Sequence, residues 1–432
     1  MRVLLFAYYF PPDGGAGTQR PSSFARHFPG LGVDCTVVTR TPPARRNYWE
    51  PEDASLLAGL SGTKQARVIR TPPDPAGGLN RWLSAVEQIA DEEIRRNRPD
   101  VLLLTMSPFE LWCVGAALAD RHRIPVVFDL RDPWALDGWQ SYRTYLHWRR
   151  EAQAMRAMLR RADGVVANTP ECKRLFCEFE PSLRPERVSV VTNGWEADDF
   201  PQPAPRIDPA SRPNGLLRLV FTGSFLSKPL YPGRSLRQRV GSLLRYVPEP
   251  IVASGRTPLH LLRAVSMLRE RQSEAGRAIR LVVVGQKDEW TSRCVEESNV
   301  ADAVEFTGYL SHGDSVRAIR EADALFLPLH GLPAGVRSRI VPGKAYEYIA
   351  TGRPILGALP EGDAREIIEA TGRGFIADPC DDEALAAALT AIHAGWVRGA
   401  FNESIQGPNV ALYERGVLAA ALATFLRGIA QT

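Results

Sequence analysis

The chain has 432 residues, a length that suits two domains of roughly 200 residues better than one. Hydrophobic residues make up 44% of it and charged residues 24%, so the composition excludes a disordered or fibrous protein. The net charge is only +4, which argues against a general nucleic-acid coat.

The cysteines and histidines argue against both disulfide bonds and a structural metal site. The six cysteines show no C-x-x-C spacing and the seven histidines are scattered, so we expect reduced thiols and no metal site. No apolar run approaches the ~18 residues needed to cross a bilayer, and we identify no signal peptide. These features predict a cytoplasmic protein.

Alternating apolar runs and helical stretches in the first half predict a parallel sheet. A strand over 2–8, a glycine loop, a helix over 18–28 and a strand over 33–39 form a βαβ unit. The pattern repeats with helix 80–97, strand 100–105, helix 109–121 and strand 124–128. An arginine-rich helical segment over 140–161 and strands near 164–168 and 187–191 complete this half.

Residues 201–215 are rich in proline, which continues neither a helix nor a central strand, and we interpret them as a linker. A second series follows, with strands at 216–222, 279–284, 303–307 and 324–329 and helices at 258–275, 289–298 and 313–321. The sequence therefore predicts an α/β protein of two doubly wound domains, over 1–200 and 216–408.

A basic insertion over about 227–256 separates the strand at 216–222 from its expected helix. It contains six lysines and arginines against one acidic residue, Glu249. Such a segment is either a solvated loop or a contact surface for an anionic partner or a membrane.

The loop after the first strand contains Gly14, Gly15 and Gly17. Glycines between a strand and a helix let the backbone approach a phosphate, although they also serve in ordinary tight turns. A dinucleotide motif needs a third glycine where Arg20 stands, and the second strand ends at Arg40 rather than at an acidic residue. These departures weaken a dehydrogenase interpretation.

Residues 341–356 predict a helix of two to three turns, with Pro342 at its start and Gly352 at its end. Lys344 and Glu347 are i, i+3 neighbours on one face of its first turn. They are either an exposed ion pair or a site in which the glutamate binds a ribose diol and the lysine a diphosphate.

Four stretches, in this order and spacing, resemble a GT-B glycosyltransferase of family 4 type. They are Tyr-Tyr-Phe-Pro-Pro-Asp-Gly-Gly-Ala-Gly at 8–17, Phe-Asp-Leu-Arg-Asp-Pro-Trp at 128–134, Thr-Asn-Gly-Trp-Glu-Ala-Asp-Asp-Phe at 192–200, and Gly-Lys-x-x-Glu-Tyr-x-Ala-x-Gly-Arg-Pro at 343–354. The resemblance implies two Rossmann-like domains facing a cleft, with the acceptor on the first and a nucleotide sugar on the second. It also implies that a helix over about 409–432 packs back onto the first domain.

The resemblance also implies roles for individual residues. Glu347 would hold the ribose hydroxyls, and Arg256 and Lys344 would neutralise the departing diphosphate. The other implied donor-binding residues are Gly14, Gly15, Gly223, Ser224, Gly308 and Tyr309. Such enzymes usually need no metal, and we expect no cofactor beyond the nucleotide sugar as co-substrate.

The first departure from the family pattern is at Arg339. Many members have a glutamate eight residues before the one matched by Glu347, in contact with the donor sugar. Here that position is Arg339, with Arg337 close by. We hypothesise that these arginines contact the donor diphosphate or a substituent on its sugar.

The second departure is in the first domain. Members often have a histidine near the reacting centre, and our alignment places Arg131 there. Asp129 and Asp132 flank it, and either could orient or deprotonate the acceptor hydroxyl. Alternatively, Asp132 begins an ordinary turn.

The expected activity is transfer of a sugar from a nucleoside-diphosphate sugar to a small-molecule or lipid-linked hydroxyl acceptor, with retention of configuration. Two alternatives stay open, a nucleotide-sugar 2-epimerase and a non-catalytic nucleotide-sugar-binding partner of a transferase. The arginine-rich segments 142–161 and 228–256 are candidates for peripheral contact with the inner membrane face.

Overall fold

The computed structural model describes residues 1–42, 52–53, 66–72, 78–202, 205–227, 245–403, 405–407 and 409–431. The chain forms two compact units, the first of Met1–Gln140, Thr144–Gly194 and Tyr413–Thr432, the second of Ser141–Arg143 and Trp195–Leu412. Each unit contains one wholly parallel sheet joined by helical crossovers, which confirms the predicted doubly wound α/β class. Among the described residues, no helix has both the length and the apolar character that crossing a membrane requires.

The first unit contains seven strands in its described residues, in the order β3-β2-β1-β4-β5-β6-β7. They are β1 Arg2–Ala7, β2 Asp34–Thr39, β3 Arg67–Arg70, β4 Val101–Met106, β5 Val126–Leu130, β6 Gly164–Ala167 and β7 Val188–Val190. The helices between them are α1 Ala16–His27, α2 Leu79–Arg96, α3 Leu111–His122, α4 Tyr145–Arg161 and α5 Pro170–Phe179.

The second unit contains six strands in its described residues, in the order β10-β9-β8-β11-β12-β13. They are β8 Leu217–Thr222, β9 Ile279–Val284, β10 Val304–Gly308, β11 Ala324–Pro328, β12 Ile355–Ala358 and β13 Gly374–Ala377. Its helices are α6 Leu259–Glu270, α7 Glu274–Ala278, α8 Glu289–Glu296, α9 His312–Arg320, α10 Gly343–Thr351, α11 Asp363–Glu369 and α12 Asp382–Val397.

The last helix, α13 Arg415–Gln431, belongs to the first unit. Alternate residues of β1 enter two cores: Leu4 contributes to one, and Leu5 contributes to the other together with Leu422 and Leu426 of α13. Both faces of β1 are buried from Val3 onward, and its sequence is accordingly apolar from Val3 to Ala7.

In both sheets the strand order reverses beside the first strand, between β1 and β4 and between β8 and β11. Ligands of doubly wound sheets bind at the carboxyl ends of the strands next to such a reversal. The glycine loop follows β1 and Gly223 follows β8, so the topology gives each unit a candidate binding edge.

Two predicted helices differ from the observed ones. The segment predicted as helical over 140–161 begins only at Tyr145, because the Thr144 hydroxyl accepts the hydrogen bond of the His147 N–H and caps the first turn. The helix predicted over 258–275 is interrupted at Gln272, whose φ of 55° is incompatible with a right-handed helix.

Part of the predicted linker is fixed within the second unit. Arg353 is 1% exposed, and its guanidinium donates hydrogen bonds to the carbonyl oxygens of Pro205, Arg320 and Phe401. Burial lowers the pKa of Arg353 to about 10, so the side chain stays charged at neutral pH.

Candidate functional site

In the second unit a half-buried lysine lies where β8 ends and α10 begins. Lys344 donates a hydrogen bond to the Thr222 carbonyl oxygen, and its Nζ lies 3.9 Å from the centre of the Phe221 ring. Gly223 follows with a φ of 99°, and a Cβ there would lie 3.1 Å from Nζ. Glycine at this position therefore leaves space beside the ammonium and suits the left-handed backbone.

Helix α10 contributes a second electropositive feature at the same place. Pro342 occupies its capping position, and no side chain caps the N-terminus. The Tyr348 hydroxyl accepts the Thr222 N–H at 2.9 Å, which fixes the helix against β8. First-turn N–H groups carry partial positive charge, so this corner of the unit attracts anions.

The Lys344 ammonium is costly to keep charged. Burial and the neighbouring Arg256 guanidinium lower the pKa of Lys344 to about 7, and the Glu347 carboxylate offsets this only in part. An anion beside a buried cation favours its charged form. Binding of an anion here should therefore raise the pKa of Lys344.

Arg256 belongs to a cluster that includes His330 and Arg339. It ends the short turn Ala253–Arg256, and His330 lies just beyond β11. Burial and the charges of Arg256 and Arg339 lower the pKa of His330 to about 4, so the imidazole is neutral at pH 7. Arg339 is paired with Glu249.

The other residues predicted to bind the donor lie along the same sheet edge or on α10. Ser224 follows Gly223, and Gly308 ends β10 with a φ of 78°. Tyr309 is 51% exposed, and Glu347 is half-buried in α10. Arg337 is directed elsewhere, since it pairs at 2.6 Å with Glu366 of α11.

In the first unit the glycine loop joins β1 to α1. Gly15 is the capping residue of α1, with a φ of 89° and no side-chain cap. The buried Gly14 accepts a 3.4 Å hydrogen bond from Thr18 Oγ1 at its carbonyl oxygen. Arg40, directly after β2, forms an ion pair of 3.2 Å with the buried Asp13. The residue at the end of this strand therefore stabilises the glycine loop.

Asp129 lies in β5 and is fully buried against Arg20 of α1. The Arg20 Nη2 is 2.7 Å from one carboxylate oxygen, and its Nε is 2.9 Å from the other. Arg20 also donates to the carbonyl oxygens of Val191 and Thr192, at 2.7 Å each. The residue that interrupts the dinucleotide motif therefore forms a buried charge pair.

Arg131 fastens the turn after β5. Its guanidinium donates 2.7 Å hydrogen bonds to the carbonyl oxygens of Met106 and Gly17, which connects β4 and α1 to this turn. Burial lowers the pKa of Arg131. Asp132 is exposed, whereas Asp129 and Arg131 are engaged with their own unit.

Comparison with known protein families identifies the class of protein to which these two sheet edges belong. Residues 22–199 match the model of Glycosyltransferase Family 4, and residues 254–394 match that of Glycosyl transferases group 1. Together the two matches cover most of the chain. The chain is a GT-B glycosyltransferase of family 4 type. Over 419 residues this glycosyltransferase is 24% identical to the glycogen synthase of Mycobacterium tuberculosis, covering 91% of this chain and 86% of that protein.

Solved glycosyltransferase structures share the fold of this one. Anabaena HepE in complex with UDP and glucose aligns with a TM-score of 0.61 at 16% identity, covering 99% of this chain and 100% of that one. The sucrose-phosphate synthase of Thermosynechococcus elongatus aligns with a TM-score of 0.64 at 15% identity, covering 99% and 98%. These likenesses confirm the predicted GT-B fold.

Three features of the candidate site were not predicted from the sequence. They are the Arg20–Asp129 pair, the neutral His330 and the Glu249–Arg339 pair. His330 had a usable signal, because it follows a buried strand directly. The two pairs join residues 109 and 90 positions apart, for which one sequence contains no signal.

Proposed function

We propose that this glycosyltransferase binds a nucleoside-diphosphate sugar through its second unit, with the diphosphate at the start of α10. The observation that carries the proposal is the half-buried Lys344 ammonium between Gly223 and an uncapped helix N-terminus. Solved structures of HepE with UDP and with UDP-glucose, on the same fold, support this choice of ligand.

The chemistry requires positive charge at this corner. Breaking the anomeric C–O bond leaves negative charge on the diphosphate, and fixed cations aimed at it lower the barrier. Lys344, Arg256 and the first-turn N–H groups supply this charge, and we propose that the enzyme works without a metal. In a retaining reaction the bond between the anomeric carbon and the phosphate oxygen breaks as the acceptor hydroxyl oxygen bonds to that carbon. The leaving phosphate oxygen takes the proton of the acceptor hydroxyl.

We assign the rest of the donor by position. Glu347, in the same helical turn as Lys344, accepts hydrogen bonds from the ribose hydroxyls. Backbone and side chain at Gly308 and Tyr309 cover the base. Ser224, directly after Gly223, contacts the diphosphate.

Arg339 is assigned to the donor sugar or its diphosphate. If so, Arg339→Ala should raise the donor KM or lower kcat, whereas Glu249→Gln should have the smaller effect because it leaves the guanidinium in place. If Arg339 only anchors Glu249, the two variants will lose stability alike and keep the kinetics of the natural enzyme.

The acceptor side is assigned to the first unit, with a hydroxyl acceptor of small-molecule or lipid-linked type. We propose that the enzyme reaches a lipid-linked acceptor through peripheral contact of the N-terminal end of α4 with anionic lipid. At that end Tyr145 and Leu146 are 52% and 67% exposed, beside the exposed Arg149 and Arg150.

The test is calorimetric binding of UDP, GDP, ADP, CDP and dTDP, each with magnesium and with EDTA. One nucleotide should bind equally well in both, and at 100 times its Kd it should stabilise the fold by about 2.7 kcal/mol. Lys344→Met and Glu347→Gln should abolish binding, while Lys173→Met, a half-buried lysine of α5, should not change it. Absence of binding to any nucleotide refutes the assigned site, and NMR of the product anomer tests retention.

A further inference from the structure

Outside the assigned donor contacts, the second unit contains a cluster of four chemically reactive side chains: Ser254, His260, Cys380 and Asp382. His260 Nδ1 lies 2.6 Å from Asp382 Oδ1, and His260 Nε2 lies 3.0 Å from Ser254 Oγ. The Cys380 Sγ is 3.7 Å from the same Ser254 oxygen. Hydrogen bonds to Cys380 and Asp382 raise the pKa of His260, against the opposing effect of burial.

This arrangement has the parts of an activated nucleophile: an imidazole oriented by a carboxylate on one side and facing a hydroxyl and a thiol on the other. Of the two candidate nucleophiles the thiol is the better one at neutral pH, because its proton is the easier to remove. Cys380 is partly exposed, so a small reagent can reach it.

We propose that Cys380 is a reactive thiol and a modification site for small electrophiles and low-molecular-weight disulfides. In the exchange reaction the Cys380 proton passes to His260 and the thiolate attacks one sulfur of the disulfide. The new S–S bond forms as the old one breaks, and the leaving thiolate takes a proton from solvent. No net oxidation occurs, because the incoming disulfide supplies the oxidised sulfur.

Modification here should disturb the turn that carries Arg256. A Cβ placed on Gly331 would lie 3.2 Å from the Cys380 Sγ and 3.1 Å from the Val252 Cβ, so little space separates the thiol from these segments. Val252 and Gly331 exchange backbone hydrogen bonds of 2.8 and 3.0 Å just before the turn. We expect an adduct on Cys380 to displace this bridge or the Ser254–His260 contact. The effect on the donor rests on the function proposed above, whereas the reactivity of the thiol does not.

The experiment measures the alkylation rate of each cysteine by iodoacetamide, followed by peptide mass spectrometry. At pH 7 Cys380 should react about tenfold faster than Cys113, although Cys113 is the more exposed residue. The reason is that partial desolvation of the Cys113 thiol and the neighbouring Glu110 carboxylate raise its pKa. His260→Gln should slow Cys380 by about tenfold and leave Cys113 unchanged. Continued protection of the buried Cys294, which lies in the same unit as His260, shows that the variant is folded. Asp382→Asn should slow Cys380 as well. Equal rates at the two cysteines, or a Cys380 rate that is unaffected by both substitutions, overturns the proposal.

Two further measurements test whether alkylation of Cys380 disturbs the Arg256 turn, independently of the assigned donor site. Hydrogen exchange of the peptide covering 252–257 should speed up after alkylation of the natural protein and not after the same treatment of Cys380→Ser. The affinity for UDP-glucose should fall about tenfold after alkylation of the natural protein and stay unchanged after the same treatment of Cys380→Ser. If reactivity and exchange behave as expected but the untreated protein binds none of the five nucleotides, the donor assignment fails and the reactive thiol stands. Unchanged exchange after complete alkylation refutes the coupling to the Arg256 turn.

Discussion

At the scale of single residues, Lys344 combines two properties that ordinarily conflict. Its ammonium is half-buried and lies near Arg256, which lowers its pKa to about 7, yet its assigned role requires it to be charged. In the free protein the folded state binds fewer protons than the unfolded chain between pH 7 and the ordinary lysine pKa of 10.5. The Lys344 contribution to the free energy of unfolding therefore rises with pH across that window.

Donor binding should reverse this shift, so we expect it to take up a proton at Lys344. The affinity for UDP-glucose should fall above pH 7, by at most about tenfold per pH unit. Calorimetry at pH 7.5 in buffers of different ionisation enthalpy measures the uptake, and the diphosphate diester of UDP-glucose does not itself titrate there. Lys344→Arg, which keeps its charge, should bind without proton uptake. A Kd independent of pH between about 6.5 and 8.5 would contradict the assignment.

The two aspartates of the predicted catalytic stretch differ in burial and in their partners. Asp129 is buried and paired with Arg20, so Asp129→Asn leaves a buried guanidinium unpaired and should lower the free energy of unfolding by about 3–5 kcal/mol. Asp132→Asn, at an exposed position, should change stability by less than about 0.5 kcal/mol. It should nonetheless reduce kcat by about a hundredfold if Asp132 orients or deprotonates the acceptor.

Urea unfolding and steady-state kinetics on the two variants separate these roles. If Asp129→Asn keeps the stability of the natural enzyme and loses activity alone, Asp129 itself is the catalytic carboxylate. If Asp132→Asn retains full kcat, Asp132 serves only the turn in which it lies.

At the scale of elements, continuous apolar runs predicted the central strands well because both faces of each sheet are buried, and burial leaves a strong sequence signal. The strands β3, β12 and β13 were not predicted, since each has only four residues and β3 has no fully buried residue. Helix α10 was predicted almost to the residue because Pro342 and Gly352 mark its two ends, and Gly352 indeed has a φ of 66°. Partnerships across the fold, such as Arg20 with Asp129, depend on topology and cannot be found from local spacing.

In the arginine-rich helix α4 only some of the arginines are available for the lipid contact assigned to it. In its second half Arg156 and Arg160 form ion pairs with Glu180, and Arg161 forms one with Asp120. The assigned lipid contact therefore depends on its first turns alone, where exposed apolar and basic side chains adjoin.

We expect the enzyme to sediment with anionic vesicles at low salt and to be released as salt screens the charges. Leu146→Ser combined with Arg149→Gln and Arg150→Gln should abolish sedimentation. The control combines Arg293→Gln with Arg317→Gln, which removes the same charge from exposed helices of the second unit and should sediment normally. Loss of binding in both variants would indicate attraction by net charge, and no binding at low salt would remove the membrane contact.

At the scale of the whole molecule, the first unit is completed only by the end of the chain. Arg415 of α13 donates to the Gln19 side chain at 2.6 Å, across 396 positions of sequence. Four residues of α13, Ala419, Leu422, Ala423 and Leu426, are fully buried in the core that contains Leu5 of β1. The first strand of the chain therefore gains part of its burial from the last helix, and the first unit cannot be complete until α13 has been synthesised.

Leu422→Ala should consequently weaken the first unit by about 2–5 kcal/mol, through lost apolar burial and the cavity left beneath β1. Val417→Ala is the matched control, because Val417 lies on the same helix but is 47% exposed, and it should cost less than about 0.5 kcal/mol. Hydrogen exchange of a peptide covering β1 reports on the first unit, and a peptide covering β8 reports on the second. Leu422→Ala should accelerate exchange in β1 and leave β8 unchanged. Equal acceleration in both peptides would show that the two units unfold as one cooperative body, and no acceleration in β1 would show that α13 contributes little to the stability of its core.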